Sequence, residues 1–489
     1  MGAVREFVHG FDWFVLVYFL TLNSIYLALI LLAAYDIAHL IRRESIVDYD
    51  DMFANPLTPP VSIVVPAYDE EAVILDSVHA MLALRYPEFE VIVVDDGSTD
   101  GTFDLLAEAF ELRAVERVIP NMVPTIGRVL SVHVASSGEP LVVVRKENAG
   151  RRSDTVNVGI DLARYPLVCM VDADSILEDT ALLRAAKPFV DDPQRVVAVG
   201  GVIRTANGSD VYRGRVEDAR MPKGWLPRIQ TVEYLRSFLL GRLGWSRLQG
   251  LLIISGAFGI FRRDVVIAAR GLDLESLGED AELVTTVHEY LRRARRDYRI
   301  VFVPEPVCWT EVPETLSQLG SQRRRWSRGL AQLLRKHRRM IGNPRYGRIG
   351  LVVLPYYLAF ELLGPVVEVL GLGVFGMSIA LGAVGGWFAL AFAAAAIGYG
   401  LILSVCALAI EEFAFHRYRR WTDLQRAFAA AIVENLGYRQ MHAWWRLQGL
   451  MDEIVGRRAS WGTMTRQGFT SSSNSTEAAP DAVAEKVSA

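Results

Sequence analysis

The residues with the clearest chemistry are two acids one position apart, Asp172 and Asp174. They close the apolar run Leu167-Val168-Cys169-Met170-Val171. A run of that length fits a strand covered on both faces, as in parallel α/β sheets. In such sheets ligands bind beyond the carboxyl ends of the strands. Carboxylates so placed can share a divalent cation, and the cation can hold a phosphate-bearing molecule. A strand that simply ends in a polar turn, with Asp as turn former, has the same sequence. The octet alone leaves both readings open.

Four further clusters bear on the choice. Pro66-Ala67-Tyr68-Asp69-Glu70 and Asp95-Asp96-Gly97 both follow predicted strands. A ring, acids and a glycine turn there could stack a nucleobase and bind a ribose, although acids also cap helices and Asp-Gly makes turns. Lys146-Glu147-Asn148-Ala149-Gly150-Arg151-Arg152 is a basic glycine loop before a helix, suited to phosphate or simply solvated. Gly278-Glu279-Asp280 opens a predicted helix. Acids there compensate the helix dipole, and one that faced the Asp174 crevice could serve as a general base. In Gln322-Arg323-Arg324-Arg325-Trp326, residues 322, 325, 326 and 329 share one helical face. That face carries an amide, a guanidinium suited to diphosphate, a ring suited to a sugar, and a glycine gap. The other faces, with Arg323, Arg324, Arg328, Arg335, Lys336, Arg338 and Arg339, suit anionic lipid.

The elements that must position these residues alternate. Strands are predicted at 61–66, 90–94, 141–144, 167–171, 196–202, 253–261 and 300–303. Helices are predicted at 69–84, 102–112, 153–164, 280–291 and from Pro313 through Trp326. Residues 120–140 read as an irregular insert. Strands alternating with helices imply a mostly parallel sheet with helices on both faces. Residues 226–243 have helical apolar spacing and suit either a membrane surface or the sheet.

Hydrophobic residues make up 51% of the 489, and the net charge of -4 gives no argument for nucleic acid. The apolar excess lies at the two ends. Residues 11–40 are long enough to span a bilayer and end at Arg42 and Arg43, which favours a cytosolic exit. Residues 349–415 suit two spans, possible as three, with a kink at Gly364-Pro365. Residues 416–420 are basic. Residues 424–450 carry Glu434, Arg439 and Arg446, costly at the bilayer centre, and Trp444 and Trp445, which suit its interface. That segment is expected to be a surface or partly inserted helix. The layout is therefore 1–45 anchor, 46–345 cytosolic domain, 346–416 membrane helices, 417–470 amphipathic segment and 471–489 disordered tail. Cys169, Cys308 and Cys406 have neither zinc nor disulfide spacing.

Taken in order, these motifs resemble the membrane-embedded processive glycosyltransferases of family 2, the cellulose, chitin, hyaluronan and poly-N-acetylglucosamine synthases. The likeness covers about 61–341 and includes Cys308-Trp309-Thr310-Glu311-Val312-Pro313-Glu314-Thr315. It implies an α/β GT-A domain with a Rossmann-like sheet between transmembrane helices, at the plasma membrane. It implies that Tyr68, Glu70 and Asp96, with Asp95 beside them, contact the nucleoside of a nucleotide sugar, a UDP-sugar foremost. By the same likeness Asp174 holds Mg2+ or Mn2+, with Asp172 near metal, donor sugar and ribose, and Asp280 is the catalytic base. Glu279, Gln322, Arg325 and Trp326 would shape the acceptor end and steady the pyrophosphate. Two departures stand out. Arg152 aligns with the lysine of the usual Gly-Gly-Lys, and Gly278 replaces a threonine.

The expected activity is inverting transfer to a growing β-linked polysaccharide, with the bilayer, a glycan or lipid acceptor, and export or accessory subunits as partners. Two alternatives are transfer of a single sugar to a lipid or short acceptor, and a non-catalytic nucleotide- or glycan-binding subunit. A dinucleotide enzyme is a poor fit, because Pro66-Ala67-Tyr68 stands where Gly-x-Gly-x-x-Gly would follow the first strand.

Overall fold

A computed structural model describes residues 2–44, 49–212, 215–415 and 420–457. The tail at 471–489 and most of the basic stretch at 416–420 lie outside the described residues.

The strands are Val61–Ala67 (β1), Phe89–Asp95 (β2), Leu112–Val115 (β3), Val129–Ala135 (β4), Leu141–Lys146 (β5), Leu167–Met170 (β6), Ile176–Leu177 (β7), Val196–Thr205 (β8), Asp210–Tyr212 (β9), Arg215–Asp218 (β10), Gly259–Arg262 (β11) and Arg299–Thr310 (β12). Ten form one sheet, ordered β3-β4-β5-β2-β1-β6-β11-β8-β12-β7, and β9 and β10 form a separate pair. The centre, β5-β2-β1-β6, is parallel. β11 runs antiparallel between β6 and β8, and β4 runs antiparallel to β5. The sheet is therefore mixed around a parallel centre.

The valine-rich runs explain that centre. On β1, Ile63 and Val65 enter one core while Val64 enters the other, and on β2 Val91 and Val93 oppose Ile92 and Val94 in the same way. Both faces are thus covered, which is why the runs are continuous rather than alternating. The strand expected at 253–261 forms only from Gly259, because Ser255–Phe258 turns to contact the site. The helix expected from Asp69 begins at Ile74, since Asp69 takes a left-handed φ of 53°. The insert at 120–140 contains β4.

Among the described residues three helices are long and apolar enough to cross a membrane: Glu6–Leu40, Ile349–Ala380 and Gly386–Phe415. The second of these bends at Leu363, ahead of Gly364-Pro365, where the backbone stays in the helical region (φ -85°, ψ -15°). The first packs on the other two. Tyr18 donates to Ala359 O (2.7 Å), Tyr26 to Glu361 (2.7 Å) and Asn23 to Ala395 O (3.1 Å).

One open alternative resolves toward the sheet, and one interfacial expectation changes. The segment at 226–243 is a packed helix, Trp225–Tyr234, carried on by a π-helical stretch to Arg242–Arg247. Thr231 meets Thr205 of β8 (2.7 Å), and Leu226, Ile229 and Val232 pack on Ala430 and Ala431. The segment at 424–450 is two helices, Trp421–Val433 and Arg439–Val455, broken where Gly437 takes φ 92°. The second lies along Leu316–Lys336. Gly449 touches the Arg324 backbone, and Trp445 covers Gly320 rather than sitting at a lipid interface.

Candidate active site

The carboxyl ends of β1, β2 and β6 open into a cavity of about 1120 Å3, lined by Tyr68, Glu70, Asp96, Arg152, Asp172, Asp174, Glu279, Asp280, Gln322, Arg325 and Trp326. Every sequence-derived site residue but one is on its wall. The exception, Asp95, is fully buried at the end of β2, where it accepts from Ser98 N (3.0 Å) and so fixes the turn at Gly97. Gly97 has φ 69°, and a side chain there would press on the Lys146–Asn148 backbone.

Lys146 belongs to no phosphate loop. Its ammonium is fully buried and pairs with Asp96 and with Asp154 (2.9 Å). Burial raises the Asp96 carboxyl, and Lys146 acts against the rise. Lys146 thus holds Asp96 toward the cavity. A buried lysine without its acids would cost several kcal/mol, on the order of 3–5.

Arg152, first residue of helix Arg152–Leu162, ties three elements together. Its Nε and Nη2 donate to one oxygen of Asp172 (2.8 and 2.5 Å), Nη2 also to Gly256 O (2.9 Å), and Nη1 reaches Glu279 (3.4 Å). Asp174 is buried. Burial first, then the neighbouring Asp172 charge, raises its carboxyl to about 7. Glu279 is likewise raised by burial, against the pull of Arg152.

Asp280 sits in the first turn of Glu279–Arg293, whose opening acids suit the helix dipole. This helix meets Leu316–Lys336, which carries Gln322, Arg325 and Trp326, through bare backbone. A β-carbon on Gly329 would lie 2.8 Å from Gly278 N. The gap on that helical face is filled by Gly278, which accounts for a glycine at this position. Leu277 N donates to Gln332 (3.0 Å), and Lys336 pairs with Glu282 and Asp273. Gln322 Oε1 is buried with no hydrogen-bond partner among the described residues. Arg325 is lowered by burial, against Glu279 and Asp280. Two of the arginines expected to meet lipid are packed instead: Arg323 is buried on Glu233 (2.8 Å) and over the Trp326 ring, and Arg328 approaches Glu453 (3.6 Å), whereas Arg335, Lys336, Arg338 and Arg339 are exposed.

The sequence pattern of the family described as "Glycosyltransferase like family 2" matches residues 59–329, more than half of the chain. The chain belongs to the family 2 glycosyltransferases. The poly-beta-1,6-N-acetyl-D-glucosamine synthase of Staphylococcus aureus (strain COL) is 28% identical over 315 residues, 64% of this chain and 64% of that one. The synthase of the same name from Staphylococcus epidermidis is 26% identical over 274 residues, 56% of this chain and 55% of that one. The chain thus spans less than two thirds of the length of these curated relatives. Among solved structures, mannosyltransferase PcManGT from Pyrobaculum calidifontis, in complex with GDP-Man and Mn2+, matches with a TM-score of 0.50 and 22% identity. The match covers 87% of this chain and 99% of that one. This is a likeness of fold, and the fold of the transferase domain is GT-A-like.

In this transferase the cavity does not stop at Asp280. It continues between the apolar helices, past Tyr234, Phe238, Trp245, Tyr356, Tyr357 and Phe360. Four carboxylates on that stretch each face one guanidinium: Glu233 with Arg323 (2.8 Å), Glu434 with Arg236 (2.6 Å), Glu361 with Arg446 (3.1 Å) and Glu368 with Arg439 (3.9 Å). Sequence reasoning named Glu434, Arg439 and Arg446 only as charges costly in a bilayer and Arg323 only as a lipid-facing cation, and it missed Glu233, Glu361 and Glu368, yet a signal was there. Glu361 and Glu368 are seven apart in an apolar segment, as are Arg439 and Arg446 in the last helix. Ionisable residues in apolar spans mark functional interiors.

Asp172 and Asp174 fit a divalent cation as half of a ligand set. Two close carboxylates, one buried and raised by the other, are what a cation would relieve. Among the described residues no three acidic, His or Cys side chains are arranged to hold an ion alone. The remaining ligands would come from a diphosphate.

Proposed function

We propose that this chain is a membrane-anchored, inverting, metal-dependent transferase that moves a sugar from a nucleotide sugar, UDP-linked in the first instance, to a growing β-linked glycan. The observation that carries this is the single cavity joining Tyr68 and Asp96, the Asp172–Asp174 pair, Asp280 and a passage between the membrane helices. The polymer named for the staphylococcal relatives supports a polymeric product.

In this reading Tyr68 stacks on the base, and Glu70 and Asp96 bind the nucleoside. Asp174 and Asp172 hold Mg2+ or Mn2+, which when bound neutralises the departing diphosphate. Arg152 and Arg325 supply fixed positive charge to the same oxygens. Asp280 takes the proton of the acceptor hydroxyl as that oxygen attacks the anomeric carbon. Attack opposite the leaving group inverts the centre, so an α-linked donor gives a β-linkage. Gln322 Oε1, unpartnered, can accept from an acceptor hydroxyl, and Trp326 offers its ring to the sugar face. Residues 46–345 form the cytosolic domain at the plasma membrane. The placement of Arg42 after the first span supports this, as does the return of the chain after two further spans to pack Arg439–Val455 on Leu316–Lys336.

The test is a donor screen. Purified protein is incubated with radiolabelled nucleotide sugars and Mg2+ or Mn2+, and products are sized by mass. A ladder of single-sugar steps is expected. One added sugar only would redirect the reading to a lipid or short acceptor. No transfer from any donor, with Asp280→Asn matching wild type, would overturn it.

A further inference from the structure

The charge on the membrane side of Asp280 does not balance. Five guanidiniums line that part of the cavity, and four are held one-to-one by the carboxylates described above. The fifth, Arg242, has no carboxylate within ion-pair distance among the described residues. Its Nη1 is buried without a hydrogen-bond partner. The guanidinium lies over the Phe238 ring, 3.8 Å from Cζ to centroid, which fixes its plane.

Arg242 also stands apart from the cations at the donor end. Arg152 binds Asp172 and reaches Glu279, and Arg325 feels the charges of Glu279, Asp280 and Asp172. The groups acting on Arg242 are Asp280, Tyr357 and Tyr234, on the acceptor side of the base. Burial lowers the Arg242 guanidinium to about 10, and the opposing pull of Asp280, Tyr357 and Tyr234 does not make up that loss. A buried cation with open donors costs free energy unless something pairs with it. A planar guanidinium with free N–H groups is matched to a carboxylate or phosphate.

We infer that Arg242 reads an anionic group on the acceptor, a carboxylate or phosphate oxygen seated on the membrane side of Asp280. This deepens the transferase reading and rests on it. Two sources share the chemistry: an acidic sugar in the glycan, and the phosphate of a lipid-linked acceptor.

Calorimetry on the full chain in nanodiscs, with UDP and Mn2+ present, separates them. One probe pair is a β-linked disaccharide ending in glucuronate and the same disaccharide ending in glucose. The other is a short polyprenyl phosphate and the corresponding polyprenol. In at least one pair the acidic member is expected to bind about tenfold or more tighter, as a charge-assisted hydrogen bond implies. Arg242→Gln should erase that ratio and Arg242→Lys should keep part of it. The pair that discriminates names the source. Equal binding within both pairs by wild type, or a ratio unchanged in Arg242→Gln, overturns the assignment. UDP titration of each variant is the folding control. Loss of UDP binding by wild type counts against the transferase reading itself, whereas the acid-to-neutral ratio still decides Arg242.

Discussion

The two ends of the cavity hold charge by opposite rules. At the donor end one cation serves two acids: Lys146 lies between Asp96 and Asp154, and Arg152 between Asp172 and Glu279. Between the membrane helices each carboxylate has its own guanidinium. The difference follows from what each end must do. A site that takes up a cation and then a diphosphate has to carry surplus negative charge; burial raises the carboxyls of Asp174 and Glu279, and the neighbouring charges of Asp172 and Asp280 add to the rise. A passage in low dielectric cannot carry surplus of either sign without cost, so its charges are paired one to one, with Arg242 left over among the described residues.

The sharpest break in the comparison is the loss of one donor-end acid with no change in shape. Asp280→Asn is expected to lower transfer by roughly 10²- to 10⁴-fold, the usual worth of a positioned general base, while UDP binding by calorimetry stays close to wild type. A loss under about threefold would remove Asp280 from that role. At the membrane end the deficit should appear in stability instead. Glu361→Ala strands Arg446 and is expected to cost about 3–5 kcal/mol, read as a lower unfolding midpoint in detergent. Glu361→Arg with Arg446→Glu should recover part of it. No recovery would mean the pair is not acting as a pair.

Gly329→Ala probes the joint between the ends. Its methyl would press on the Gly278 nitrogen, a form of overpacking that costs about 1–3 kcal/mol. The expected signature is a fall in kcat with the donor KM nearly kept, because Asp280 moves while the nucleoside end does not. A change in KM alone would contradict this.

The smallest effect is one of pH. His288 is buried in the helix that carries Asp280, with Nε2 at 2.9 Å from Leu251 O and Nδ1 at 2.7 Å from the Tyr298 hydroxyl. Burial lowers it from 6.5 to about 4. The folded pKa lies below the unfolded one, so the contribution is complete above 6.5 and is lost as pH falls toward about 4. The loss should approach roughly 1.4 kcal/mol per pH unit within that window. His288→Gln should flatten this slope in thermal melts, and an unchanged slope would assign it elsewhere.

Much of this was legible because its physical signal is local. Continuous apolar runs announced β1, β2 and β6, and apolar length announced the three helices able to cross a membrane. Helical spacing put Gln322, Arg325 and Trp326 on one face. What was not legible depended on partners distant in sequence. Lys146 reads as a loop cation until Asp96 and Asp154 close over it. Residues 253–258 read as strand, but the Gly256 carbonyl turns to accept from Arg152. β4 was hidden because it is half-exposed and lies in a stretch rich in Pro and Gly. Arg323 and Trp445 looked interfacial from composition, and only packing against Glu233 and Gly320 places them inside.

The helix Leu316–Lys336 touches its neighbours through hydrogen atoms on both sides: Gly329 against Gly278 toward the base, and Gly320 and the Arg324 backbone against Trp445 and Gly449 toward the membrane segment. Its freedom to vary is therefore set by size more than by charge. A mutational library would find the exposed arginines of this helix exchangeable for many residues. Those glycine positions would stay closed to anything with a β-carbon, whatever its polarity. An engineer seeking a new acceptor would leave those glycines alone and redraw Gln322, Trp326 and the wall they face.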